Sequence, residues 1–185
     1  MMDNQCTYIV FPLPITAVTA RELINVIVNK VPDGVKELHL LINSPGGSVP
    51  VALGIANFLE GLSCKLVTYN ISRCDSAAIM LFAAGAERIC LPDATFFSHS
   101  VLIELSGQYS LETLHLEYKK LEQEYKSILS YLSRKTSISS VRWKKYMTEA
   151  GHVFSSKEAL RKGLATGINE LKFPLLSKLQ TIEVV

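Results

Sequence analysis

Charge is scarce in this chain. Asp, Glu, Lys and Arg make up 19% of the 185 residues and leave a net charge of only +2, below the usual quarter for a globular protein. So small an excess gives no reason to expect a nucleic-acid partner held by phosphate neutralisation. A low charge fraction suits a protein that hides extra surface in an oligomer. Long apolar runs are missing too. Hydrophobic residues reach 48%, yet no run comes to the roughly 18 residues of a membrane span. The first residues, MMDNQCTYIV, hold neither a basic segment nor a long apolar core, so no signal peptide is expected. Among the four cysteines, Cys6, Cys64, Cys74 and Cys90, there is no C-x-x-C pair. They are read as reduced thiols in a cytoplasmic setting, and no metal is expected.

What is present is an alternation of strand and helix patterns, in a length that fits one domain burying roughly 70% of its unfolded surface. Thr7 to Leu13 is expected as a strand, ended by Pro12 and Pro14. Thr19-x-x-Glu22 reads as a capping box before a helix carrying Leu23, Val26 and Ile27, closed by Pro32-Asp33-Gly34. Val35 to Ile42 is apolar enough for a strand buried on both faces. A helix over Val49 to Leu59 and a strand over Cys64 to Tyr69 follow. Short connections between such elements imply an α/β fold with right-handed crossovers.

The chemistry-bearing stretch follows. A polar turn ends on Asp75-Ser76, and small and apolar residues from Ala77 to Ala86 predict a helix. A serine where a strand becomes a helix faces unsatisfied N–H groups and the positive end of the helix dipole. That placement suits a nucleophile whose transition state is an oxyanion. A strand over Arg88 to Leu91, a Pro92-Asp93 turn and a strand over Thr95 to Ser98 then deliver His99. Singly, these residues have ordinary readings: a serine before an apolar helix is more often an N-cap, and a histidine at a strand end is usually a surface group. The third piece is Asn43-Ser-Pro-Gly-Gly-Ser48. A Gly-Gly turn between a buried strand and a helix leaves backbone amides uncovered. No Lys-Ser/Thr follows, so a P-loop is disfavoured. The Gly47 and Ala77 amides can instead form an oxyanion hole facing Ser76.

NSPGGS, Ser76, AAGA and LPDATFFSH together resemble the proteolytic subunit of the Clp protease, a serine peptidase of the crotonase-like fold. The resemblance runs from about Leu38 to Leu164, where FSSKEALRKGLAT is similar to that family's closing segment. It implies an α/β superhelix of repeated ββα units with a long protruding handle helix. All of 1–185 would form one domain, its head at about 1–106 and 137–185 and its handle at about 107–136. It implies Ser76 as nucleophile, His99 as general base, and Gly47 and Ala77 as oxyanion-hole amides. No cofactor is implied. The substrates would be peptides or unfolded proteins, cut inside a homo-oligomer of stacked rings. A Clp-type ATPase is an implied partner, although the family's docking segment before the first strand is poorly matched.

The chain departs from the family at its acid. Gly151 stands at the position of the triad carboxylate, and Glu149 is the nearest alternative in sequence. Ser72, Arg73, Cys74 and Asp75 replace the usual Gly and small residues before the nucleophile. A second reading is therefore a catalytically impaired, structural or regulatory subunit. A third, an acyl-CoA enzyme of the same fold, is disfavoured by the Ser76/His99 pairing. Val101 to Gly107 reads as strand-like. The helix over Leu111 to Ser133, capped by Ser110, carries an apolar stripe of Leu111, Leu114, Tyr118, Leu121, Tyr125, Ile128, Leu129 and Leu132 that is expected to be buried between subunits. Short helices are expected over Ser137 to Met147, where Trp143 serves as a packing anchor, and over Ser156 to Lys162, ended by Gly163. His115 and His152 carry no assigned role.

Overall fold

The computed structural model describes residues 6–31, 33–172 and 179–181. Pro32 and most of the tail from Leu175 lie outside the described residues. The architecture is α/β, in agreement with the sequence pattern. In chain order the elements are β1 (Cys6–Phe11), α1 (Ala17–Lys30), β2 (Glu37–Ser44), α2 (Val49–Glu60), β3 (Lys65–Asp75), α3 (Ala78–Ala83), β4 (Glu87–Cys90) and β5 (Thr95–Ser98). The remainder are α4 (Leu111–Lys135), α5 (Ser140–Tyr146), β6 (His152–Ser155), α6 (Ser156–Lys162), β7 (Gly167–Ile168) and β8 (Leu179–Thr181).

The sheet runs β6-β5-β3-β2-β1-β8, with β4 paired to β3 and β7 to β4. All pairings are parallel except β5 with β6. β3 is the hinge of this arrangement. Its first half pairs with β4 (Val67 opposite Glu87) and its second half with β5 (Arg73 opposite Thr95). The sequence suggested that this strand ends at Tyr69, where polar residues begin. It continues because β5 supplies a new partner, and the Asn70 amide locks the exchange by donating to the Thr95 carbonyl at 2.7 Å. Pairing with a neighbour overrides local composition here.

Other boundaries also move for physical reasons. The cap of α1 is Thr16, not Thr19. Thr16 and Thr19 each accept the other's backbone N–H through their side chains, which satisfies two otherwise orphaned donors. α3 stops at Ala83 rather than Ala86, since the Thr68 hydroxyl takes the Phe82 carbonyl at 2.7 Å and the chain turns into β4. The strand-like Val101–Gly107 forms no strand. β6 already occupies the free edge of β5, so the segment has no ladder to join.

The core lies between one sheet face and α1, α2, α3 and the C-terminal half of α4. Every residue of α3 is buried, as is Trp143, whose indole N–H donates to the Thr136 hydroxyl at 3.2 Å. The expected stripe on α4 divides in two. Ile128, Leu129 and Leu132 pack into the chain's own core, whereas Leu111, Leu114 and Tyr118 are exposed. At 1.5 Å per residue, the 25 residues of α4 reach about 37 Å.

Candidate active site

β3 delivers Ser76, and does so under strain. Ser76 has φ of +54°, the one positive φ at a non-glycine among the described residues. Such a backbone costs of order 1–3 kcal/mol and persists only where its surroundings enforce it. Two contacts enforce it here. The Ser76 N–H donates to the Phe97 carbonyl at 2.6 Å, and the Asp75 Oδ1 accepts the Phe97 N–H at 3.0 Å. The end of β5 is thereby fastened beside the turn, and His99 follows two residues later.

The first residue of α3 is preceded by Ala77 as N-cap, and no side chain caps the helix. The Ser76 hydroxyl is thus not used as a cap, which removes the ordinary reading of a serine at this position. It donates and accepts no hydrogen bond among the described residues and faces a cavity of about 400 Å³. His99 lines the same cavity, with Gly47, Ile79, Val101, Leu132 and Met147 around them. No hydrogen bond joins Ser76 to His99 directly, and such bonds commonly tighten only around substrate.

The Gly-Gly turn is placed by close backbone contact. Gly46 and Gly47 have φ of +88° and +147°. A Cβ on Gly46 would sit 2.5 Å from the Asp75 carbonyl and 2.8 Å from the Ser76 Cβ, so only glycine lets the two turns approach. Gly47 is clamped to Ile15: the Ile15 N–H donates to the Gly46 carbonyl at 2.8 Å and the Ser48 N–H to the Ile15 carbonyl at 3.0 Å. The Gly47 and Ala77 N–H groups take part in none of the loop and cap hydrogen bonds of the described residues. Two uncommitted amides therefore stand in the turns that flank Ser76.

The orienting group of His99 is the main departure from the sequence expectation. The His99 Nδ1 lies 2.7 Å from the Ser100 carbonyl oxygen. A carbonyl only accepts, so Nδ1 carries the proton and Nε2 is left with its lone pair. Glu149 is not brought to His99: it is exposed, does not line the cavity and has no hydrogen-bond or ion-pair partner among the described residues. At Gly151, φ is +69° and a Cβ would fall against the Phe97 ring edge and 2.9 Å from the Ser98 carbonyl. The Phe97 ring stacks on His99 with centroids 5.3 Å apart. An aromatic ring thus fills the space between Gly151 and the imidazole. His152 is engaged elsewhere, at 3.1 Å from Glu158, and His115 is exposed on α4.

Sequence reasoning missed Phe97, the Ser100 carbonyl and Asp75. Asp75 is the carboxylate whose field reaches His99; burial pushes its pKa up, and the Phe97 N–H, Arg73 and His99 pull it down, with burial the larger effect. Only its position next to Ser76 pointed to it.

Fold and site define a class: an α/β chain whose mainly parallel sheet ends in a serine–histidine cavity lined by backbone amides. The Clp protease family model matches residues 4–172, and the chain belongs to that family. It is 43% identical over 77 residues to the ATP-dependent Clp protease proteolytic subunit 1 of Rhodopirellula baltica, covering 40% of this chain and 34% of that protein. It is 36% identical over 85 residues to the ATP-dependent Clp protease proteolytic subunit of Bdellovibrio bacteriovorus, covering 43% of this chain and 40% of that protein. The similar segments therefore span well under half of these relatives' lengths. No helix among the described residues is long and apolar enough to cross a membrane.

Proposed function

We propose that the chain is a serine endopeptidase of the Clp type, acting on peptides or unfolded proteins within a homo-oligomer. The observation that carries this reading is the strained Ser76, its hydroxyl uncommitted, sharing a cavity with a histidine whose Nε2 is set as acceptor. In this reading the Ser76 Oγ attacks the peptide carbonyl while His99 Nε2 takes the hydroxyl proton. The Gly47 and Ala77 N–H groups donate to the tetrahedral oxyanion. His99 returns the proton to the leaving amine, and water repeats the sequence on the acyl-enzyme. The Ser100 carbonyl holds the tautomer in place of a carboxylate. The exposed Leu111, Leu114 and Tyr118 of α4 supply apolar surface for a second copy, consistent with stacked rings. A Clp-type ATPase would be the partner that delivers folded substrates.

The second reading, an impaired subunit, is favoured by Gly151. A fluorophosphonate probe separates the two. Covalent labelling that maps to Ser76 and disappears in Ser76→Ala supports the peptidase. An assembled, folded protein that stays unlabelled at Ser76 supports the impaired subunit.

A further inference from the structure

We propose that Cys6, Glu37 and His39 form a binding site for a single zinc ion that clamps the start of β1 to the start of β2. The parallel register sets Cys6 opposite Glu37 and Tyr8 opposite His39. With a side-chain period of two, all three ligand residues then share one sheet face. Their ligand atoms lie within 4.8 Å of one another. The site stands at the opening of β2, whereas the Gly-Gly turn follows the far end of the same strand, so it is separate from the Ser76 cavity.

The spacing suits a tetrahedral ion. Usual zinc–ligand lengths put tetrahedral N···O edges at about 3.3 Å and S···O edges at about 3.5 Å. The His39 Nε2 is 3.1 Å and the Cys6 Sγ 4.0 Å from the Glu37 Oε2, and with all three atoms within 4.8 Å the sulfur, at the start of β1, has to draw in by roughly an ångström to seat the ion. The surroundings already supply the outer support that metal ligands need. His39 is only 7% exposed, and its ring is stacked between Tyr8 and Tyr69, at centroid distances of 4.4 and 5.7 Å. Its Nδ1 meets the Tyr69 hydroxyl at 3.0 Å. Without an ion the Nε2–H donates to the Glu37 carboxylate and Nδ1 accepts from the Tyr69 hydroxyl. On binding, the ring proton passes to Nδ1, which donates to the Tyr69 oxygen, and the Nε2 lone pair takes the ion. Lys65 holds the Glu37 Oε1 at 3.1 Å, leaving Oε2 for the ion.

Charge balances as well. A Cys6 thiolate and the Glu37 carboxylate neutralise a divalent ion, and the second ion pair of Lys65, with Glu87 at 2.5 Å, closes on itself. Binding releases the thiol proton to solvent. One thiolate and one imidazole select zinc over magnesium or calcium. Cys6 and Glu37 are half-buried, which leaves the fourth position to water.

The test is titration of the chelator-treated full chain with Co²⁺, followed by Zn²⁺ displacement. Expected are one equivalent bound, a thiolate-to-cobalt charge-transfer band, tetrahedral ligand-field absorption, and loss of both on adding Zn²⁺. Cys6→Ser, a near-isosteric change at a half-buried site, should abolish the charge-transfer band and weaken Zn²⁺ binding at least tenfold. His39→Asn should weaken it similarly. Zn²⁺ should raise the thermal midpoint of the wild type and not that of Cys6→Ser. Absence of the band at excess Co²⁺, or wild-type Zn²⁺ affinity in Cys6→Ser, overturns the proposal.

Discussion

Placing an acid at Gly151 should not supply His99 with a carboxylate. Gly151→Asp meets two obstacles. Its φ of +69° costs an L residue about 1–2 kcal/mol. Its Cβ would also enter the space of the Phe97 ring and sit 2.9 Å from the Ser98 carbonyl, and overpacking of this kind costs about 1–3 kcal/mol. The sum, roughly 2–5 kcal/mol, is a large share of the 5–15 kcal/mol typical of a domain. For a chain of this size it lowers the thermal midpoint by roughly 4–20 °C. The Phe97 ring, against which that Cβ would fall and which itself stacks on His99, should keep the carboxyl from the imidazole. Thermal unfolding and acylation by an activated ester, measured together, check both halves. Adding Phe97→Ala should recover the overpacking part, visible as a coupling of about 0.5–3 kcal/mol in a double-mutant cycle. A Gly151→Asp protein with an unchanged midpoint and faster acylation would refute the reasoning.

Three further outcomes are expected. Glu149→Gln should alter the acylation rate less than threefold; a fall by orders of magnitude would return the orienting role to Glu149. Asp75→Asn should flatten the acid limb of stability. Burial holds the Asp75 proton to a higher pH in the folded chain than in the unfolded one, so wild-type stability falls as pH rises from about 4 through the folded pKa, and thermal melts of the variant across that window should lack this fall. Leu114→Glu on the exposed end of α4 should shift the protein toward smaller species in light scattering, and an unchanged mass distribution would exclude that face from assembly.

How much of this was legible in the sequence follows from where each signal is stored. The α/β alternation, the Gly-Gly turn and the placement of Ser76 and His99 at strand ends are local patterns, and each was readable. The stripe on α4 has one period throughout, and periodicity does not tell which half meets the chain's own α2 and α3. The Phe97–Gly151 contact joins residues far apart in sequence, so the sequence pointed to Glu149 as the nearest carboxylate and not to the ring beside His99. The orienting group of His99 is a backbone carbonyl, which no residue type encodes. That last point bears on activity. A glycine at 151 offers His99 no charge, but the hydrogen bond that fixes the tautomer is present. A neutral hydrogen bond is worth about 0.5–1.5 kcal/mol and one to a charged group about 1.5–3. The difference of roughly 1–2 kcal/mol corresponds to a rate loss of about five- to thirtyfold. That is far from the ~10⁴-fold loss that follows when a serine protease's histidine is held in the wrong tautomer. On the proposed peptidase reading, the expectation is therefore a slowed enzyme, which residual acylation of Ser76 by an activated ester would register and a complete lack of it would refute.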